Sequence, residues 1–103
     1  MSNASNILEG TNLTIIIPEK LDITNSQEIL TEALKIVKNT ELTCIEFNMK
    51  ECDFISSAGI GILANITREA KTKNIKTKLT NFSDSIKQIL TVKEAKDDYI
   101  IFF

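Results

Sequence analysis

The sequence predicts an α/β domain with a mixed, mostly parallel sheet, an N-terminal β-hairpin and helices packed alongside. Three observations carry this. Short apolar runs with a period of two alternate along the chain with amphipathic stretches at helical spacing. The connections between them are short, as in βαβ units. The chain has 103 residues, which is the length of one domain with a single core. One domain is therefore expected over 1–103, with the polar residues 1–5 disordered or left over from cloning and given no functional weight.

Asn12 to Pro18 reads as a strand, bounded by Gly10 before it and Pro18 at its end. A weaker strand from Asn6 to Glu9 pairs with it across Gly10 and Thr11, adding an antiparallel edge. Thr24 to Gln27 has the form of a capping box, a hydroxyl followed three residues later by an amide side chain. Ile29, Leu30, Ala33, Leu34 and Val37 then form one helical stripe. Glu28 and Glu32 come early and Lys35 and Lys38 late, which suits the helix dipole. Leu42 to Asn48 is the next strand, with Ile45 and Phe47 alternating with Glu46 and Asn48. Cys44, among apolar residues, is expected to be a small buried side chain.

A second helix follows from the stretch DFISSAGIGIL, residues 53–63, and stops near Lys71, Lys73 and Asn74. Ile75 to Leu79 is a short strand, Ser83 to Leu90 a capped short helix, and Tyr99 to Phe103 a terminal strand. The order is β(β)αβαβαβ. No internal repeat or low-complexity segment interrupts it.

Composition removes several functions. The net charge is −2, so there is no basic excess to neutralise a nucleic-acid backbone, which argues against nucleic-acid binding as the main activity. No apolar run approaches the roughly 18 residues that a membrane span needs. The N-terminus lacks the charged and apolar regions of a secretory signal. Two cysteines, Cys44 and Cys52, without C-x-x-C spacing, fit a reduced, cytoplasmic protein and neither a disulfide scaffold nor a zinc site. No cofactor or metal motif is present; Gly59-Ile60-Gly61 alone is a weak phosphate-loop signal.

The two serines before Ala58 and Gly59 are the chemistry-bearing feature. A nucleophile elbow would need glycine where Ile55 stands. With no histidine in the chain, a serine hydrolase also lacks its base. Glu51 with Asp53 and Asp97 with Asp98 read as solvated surface acids rather than a catalytic dyad. One serine is expected to cap the second helix, worth about 0.5–2 kcal/mol. That leaves Gly59 and Gly61 unexplained, since glycine costs a helix about 1 kcal/mol relative to alanine. Either the helix approaches its own sheet closely, or a partner approaches the helix. A serine at a helix N-terminus also accepts a phosphoryl group readily, and the added charge of about −1.5 to −2 would repel a docked partner.

Ile55-Ser56-Ser57-Ala58-Gly59-Ile60 resembles the motif of STAS-domain proteins of the anti-sigma-factor antagonist type, in its Ile-Ser-Ser-Ala-Gly-Leu form. Glu19-Lys20-Leu21-Asp22 is similar to the Gly-Glu-Leu-Asp stretch of that family. The element order agrees from about Asn6 to Phe103. The resemblance implies a STAS-like fold and a binding protein rather than an enzyme. It implies partner switching: the unmodified protein binds an anti-sigma factor that is also a serine kinase, phosphorylation releases it, and a serine phosphatase resets it. It places the phosphoacceptor at Ser57, with Ser56 the alternative. Asp22 would lie near the acceptor, and Asp22, Ser56, Ser57, Ala58, Gly59, Ile60 and Gly61 would form the partner surface. Ile60 is expected to face the partner, with Leu63 and Ile66 in the core. Three departures stand out. Ser56 occupies a position where relatives often carry an acid. Glu19 and Lys20 replace Gly and Glu. Phe103 falls where many relatives continue into a final helix, so a monomer or a weak homodimer is expected. The alternative within the family is a STAS interaction module of a transporter or signalling complex that is not phosphorylated.

Overall fold

The expected hairpin forms around Gly10, whose φ of 63° lies in the left-handed region open to glycine. In the computed structural model, which describes residues 4–92, it joins β1 (Ser5–Glu9) antiparallel to β2 (Asn12–Ile16). There follow β3 (Lys20–Leu21), α1 (Ser26–Asn39), β4 (Cys44–Asn48), β5 (Phe54–Ile55), α2 (Ser57–Thr72), β6 (Lys76–Thr80) and α3 (Asp84–Val92). The main sheet runs β1-β2-β4-β6, with β2, β4 and β6 parallel. The expected mixed, mostly parallel sheet with an antiparallel edge is thus found, with three helices among the described residues. The terminal strand expected at 99–103 and the Asp97-Asp98 pair lie outside them.

Strand alternation sets which side is core. Register aligns Leu13, Ile45 and Thr77 in one row and Ile15, Phe47 and Leu79 in the next, and all six are buried. The opposite face carries the row Thr14, Glu46 and Lys78. Cys44 falls on that second face and is half-buried, contrary to expectation; pointing Ile45 and Phe47 inward forces it outward. Cys52 is the buried cysteine.

Helix α1 buries Ile29, Leu30, Ala33 and Val37, while Leu34 is only half-buried. Helix α2 touches α1, β5 and β6, so it is covered on several sides. This explains why its apolar residues spread too far round the helix to define one face. Leu63 and Ile66 are fully buried, as expected, and the buried Thr67 hydroxyl is satisfied by the Leu63 carbonyl at 2.8 Å. The helix stops where the sequence indicates: Ile75 N–H returns to the Ala70 carbonyl at 2.9 Å, and Asn74 takes a φ of 61°.

The start of α1 departs from its expected form. Thr24 does not cap it, and no capping box forms. The N-cap is Asn25, without a side-chain cap bond to the helix. Its side chain turns back instead, donating to the Lys20 carbonyl at 2.7 Å and accepting the Asp22 N–H at 3.1 Å. The Thr24 hydroxyl is drawn to the Asp22 carboxylate at 2.6 Å. The hydroxyl donates to that carboxylate and accepts no bond from the helix amides.

Candidate functional site

Two very short strands assemble the site. β3 and β5 form a separate two-stranded parallel ladder in which Leu21 pairs with Ile55. The Ser56 N–H extends it, donating to the Leu21 carbonyl at 2.9 Å. Asp22 and Ser56, the next residue on each strand, are therefore brought side by side from distant parts of the chain. Neither two-residue strand shows a period of two, so the sequence reading missed them. The Glu19 carbonyl anchors the same ladder by accepting the N–H of Asp53 at 2.9 Å and of Phe54 at 3.3 Å.

Ser56 is the N-cap of α2. Its backbone is extended, at φ −94° and ψ 176°, and its Oγ accepts the Gly59 N–H at 3.3 Å. Ser57 is the first helical residue and is exposed. The two hydroxyls are thus distinguished: the first is partly buried and serves the helix, the second faces solvent at the positive end of the helix dipole.

The two glycines also separate. A Cβ on Gly59 would stand 2.6 Å from the Leu21 carbonyl oxygen, 2.8 Å from Leu21 Cγ and 2.9 Å from Ile55 Cγ1. The absence of a side chain there lets α2 seat directly on the β3–β5 ladder. Gly61 is exposed, and a Cβ there would meet nothing within 4 Å. Ala58 is half-buried. Ile60, expected to face a partner, is 8% exposed and belongs to the core. Once Gly59 is pressed against β3 and β5, the next residue turns toward the interior beside them.

Asp22 is held by its own turn. Its Oδ1 accepts the Thr24 N–H at 3.0 Å as well as the hydroxyl, and its carbonyl accepts the Ser26 N–H at 2.9 Å. The Thr24 hydroxyl, then the Thr24 backbone N–H, hold the carboxyl below its ordinary pKa. The Cys52 thiol is pushed up, first by burial, which outweighs the lowering effect of a backbone hydrogen bond at Phe54.

Two residues of this region carried no functional reading in the sequence. Ile23, between Asp22 and Thr24, is 80% exposed, and Phe54 is 45% exposed. The available signal was an isoleucine inside an otherwise polar turn.

Among the described residues, no group of three or more His, Cys, Asp or Glu could hold a metal ion. A cavity of about 470 Å³ lies at the far end of the molecule, against the C-termini of α1 and α2, lined by Val37, Lys38, Leu42, Lys73 and Ile75. It takes in none of the serine motif. No described helix is long and apolar enough to cross a membrane.

The family model described as the STAS domain matches residues 5–102. No curated protein matches by sequence. Among solved structures, the anti-sigma factor antagonist SpoIIAA in its unphosphorylated form aligns with a TM-score of 0.76 at 17% identity, over 95% of this chain and 86% of its own. The Bacillus cell fate determinant SpoIIAA in its phosphorylated form gives 0.76 and 17%, over 97% and 90%. The murine solute carrier 26 family member A9 anion transporter aligns at 0.78 and 12% identity over 98% of this chain, but only 21% of the transporter. A sulfate transporter family protein from Wolinella succinogenes gives 0.72 and 12%, over 93% and 80%. At these identities the likeness is one of fold.

Proposed function

The chain belongs to the STAS domain family, and from that premise we propose that it is an anti-sigma-factor antagonist that works by partner switching. The observation that carries the reading is Ser57: an exposed hydroxyl at the first position of α2, beside Ser56, whose own hydroxyl is engaged in the cap. The unmodified protein binds an anti-sigma factor that is also a serine kinase. The γ-phosphoryl group of ATP passes to Ser57 Oγ, the hydroxyl proton goes to a base on the kinase, and ADP leaves. The new group carries about −1.5 to −2 charges. The start of α2 accommodates that charge within this chain. A partner docked over Ser57 would have to accommodate it too, and Asp22 on the adjoining strand adds a like charge. The complex therefore separates, and a serine phosphatase restores the hydroxyl. In this scheme the protein is a cytoplasmic binding module without catalysis or cofactor of its own, and Ser56, Ser57, Ala58, Gly61 and Asp22 form its partner surface. Gly59 and Ile60 support that surface from within.

The test is incubation with the cognate serine kinase and ATP, with the phosphate located by mass spectrometry. Incorporation into wild type and not into Ser57→Ala is expected. No incorporation, or equal incorporation into both, rejects the assignment. The fold likeness to the two transporter proteins supports a second reading, an interaction module that is not phosphorylated. That reading expects Ser57→Asp to bind its partner as wild type does; loss of binding rejects it.

A further inference from the structure

We propose that Ile23 and Phe54 are the apolar anchors of this surface, and that the protein docked on it presents an apolar pocket rimmed by lysine or arginine. The inference rests on the reading above that the surface around Ser57 is where a partner binds. It adds what that partner must look like.

Four large apolar side chains are exposed among the described residues. Ile7 and Leu8 are neighbours on the edge strand β1. Ile23 and Phe54 come from separate parts of the chain and are brought to one end by the β3–β5 ladder. Single exposed apolar residues need no explanation. These two flank the serine pair: Ile23 follows Asp22, and Phe54 lies two residues before Ser56. With Leu21 and Ile55 pointing inward, alternation puts Lys20, Asp22, Phe54 and Ser56 on the outer side of the ladder. Ile23 is 80% exposed in a turn whose hydrogen bonds come from Asp22, Thr24 and Asn25, so it contributes little to that turn's own stability. Gly61 presents bare backbone on the same end of α2, leaving room for a close approach.

Charge indicates the kind of partner. Segments 19–23 and 50–57 carry Glu19, Asp22, Glu51 and Asp53 against Lys20 and Lys50, an excess as large as the −2 of the whole chain. Each of these acids stands within four residues of Ile23 or Phe54 along the chain, a charge balance that a basic rim around an apolar pocket complements. A phosphoryl group on Ser57, set against the apolar pocket and away from its basic rim, would be stripped of water without a cation to replace it, which opposes docking.

The test uses displayed libraries of short random peptides, selected on the whole protein. Selected peptides are then synthesised and measured by fluorescence anisotropy. An aromatic or aliphatic residue flanked by lysine or arginine is the expected consensus, with affinity falling as salt rises. Ile23→Asp and Phe54→Asp should each weaken binding about tenfold or more, and Ile7→Asp should leave it unchanged. Ile23 is exposed enough for its substitution to leave the fold intact, so it decides the matter if Phe54→Asp folds poorly. Peptides without basic residues, wild-type affinity in Ile23→Asp, or binding to phosphatidylcholine vesicles in place of peptides would overturn the inference. The kinase assay separates the two readings. Labelled Ser57 with no effect of Ile23→Asp defeats the anchors alone, and anchored peptides with no labelling defeat the phosphoacceptor alone.

Discussion

Substituting the two glycines of α2 by alanine should shift stability in opposite directions. By helix propensity alone, each change gains up to about 1 kcal/mol. At Gly61 nothing opposes the gain, because the new methyl group would find no atom within 4 Å. Gly61→Ala is expected to stabilise by roughly 0.5–1 kcal/mol. At Gly59 the methyl carbon would stand 2.6 Å from the Leu21 carbonyl oxygen, a backbone atom that cannot rotate away. Overpacking of this kind costs about 1–3 kcal/mol. Displacing that carbonyl also weakens its bond with the Ser56 N–H, which contributes about 0.5–1.5 kcal/mol. The propensity gain offsets only part of this, so Gly59→Ala should destabilise by about 1–3 kcal/mol. The chain has no tryptophan and one tyrosine, so urea unfolding is best followed by far-UV circular dichroism. With a slope of about 1–3 kcal/mol per molar urea, the midpoint of Gly59→Ala should fall by roughly 1 M while that of Gly61→Ala rises. A midpoint for Gly59→Ala at or above wild type, or equal shifts in both variants, would refute the seating of α2 on the β3–β5 ladder.

The two serines should separate in the same assay. Ser56→Ala loses the cap and should cost toward the low end of about 0.5–2 kcal/mol, given the 3.3 Å bond, whereas Ser57→Ala should stay within about 0.5 kcal/mol; equal losses would remove the assignment of Ser56 as the cap. The Asp22 carboxyl is depressed by its bonds from Thr24, so its contribution is present above the unfolded carboxyl pKa and disappears as pH falls through the lower folded value. The stability difference between wild type and Asp22→Asn should therefore shrink when urea titrations move from pH 7 to acid below that range; a difference independent of pH would mean that the carboxylate bonds do not act. A thiol reagent should modify half-buried Cys44 before Cys52, which is buried and has a raised pKa, and unfolding in urea should abolish the difference. Faster modification of Cys52 in the folded protein would contradict its burial.

What the sequence settled, it settled through local periodicity. Ile45 and Phe47 alternating with Glu46 and Asn48 indicated both the strand and its inward face, and the same alternation, applied one residue back, would have placed Cys44 outward. The stripe from Ile29 to Val37 marked α1, and Lys73-Asn74 marked the end of α2. The serine motif placed the candidate site at a strand-to-helix junction. Thr24 shows where local rules fail: its hydroxyl has two possible acceptor or donor partners nearby, and only the folded turn decides for the Asp22 carboxylate. Ile60 shows the same limit, since a helix apolar on several sides does not reveal which side meets solvent.

By itself, then, the sequence determined the α/β order, the parallel core and the place of Ser56 and Ser57, because these follow from patterns repeated every two or about 3.6 residues. Tertiary structure alone decided that Asp22 stands beside Ser56, that Gly59 is required and Gly61 is free, that Ser57 is the solvent-facing hydroxyl, and that Ile23 and Phe54 share one end. Each of these depends on β3 meeting β5, a contact between two-residue strands far apart in the chain. No local period encodes it; it appears only when the core draws Leu21 and Ile55 together.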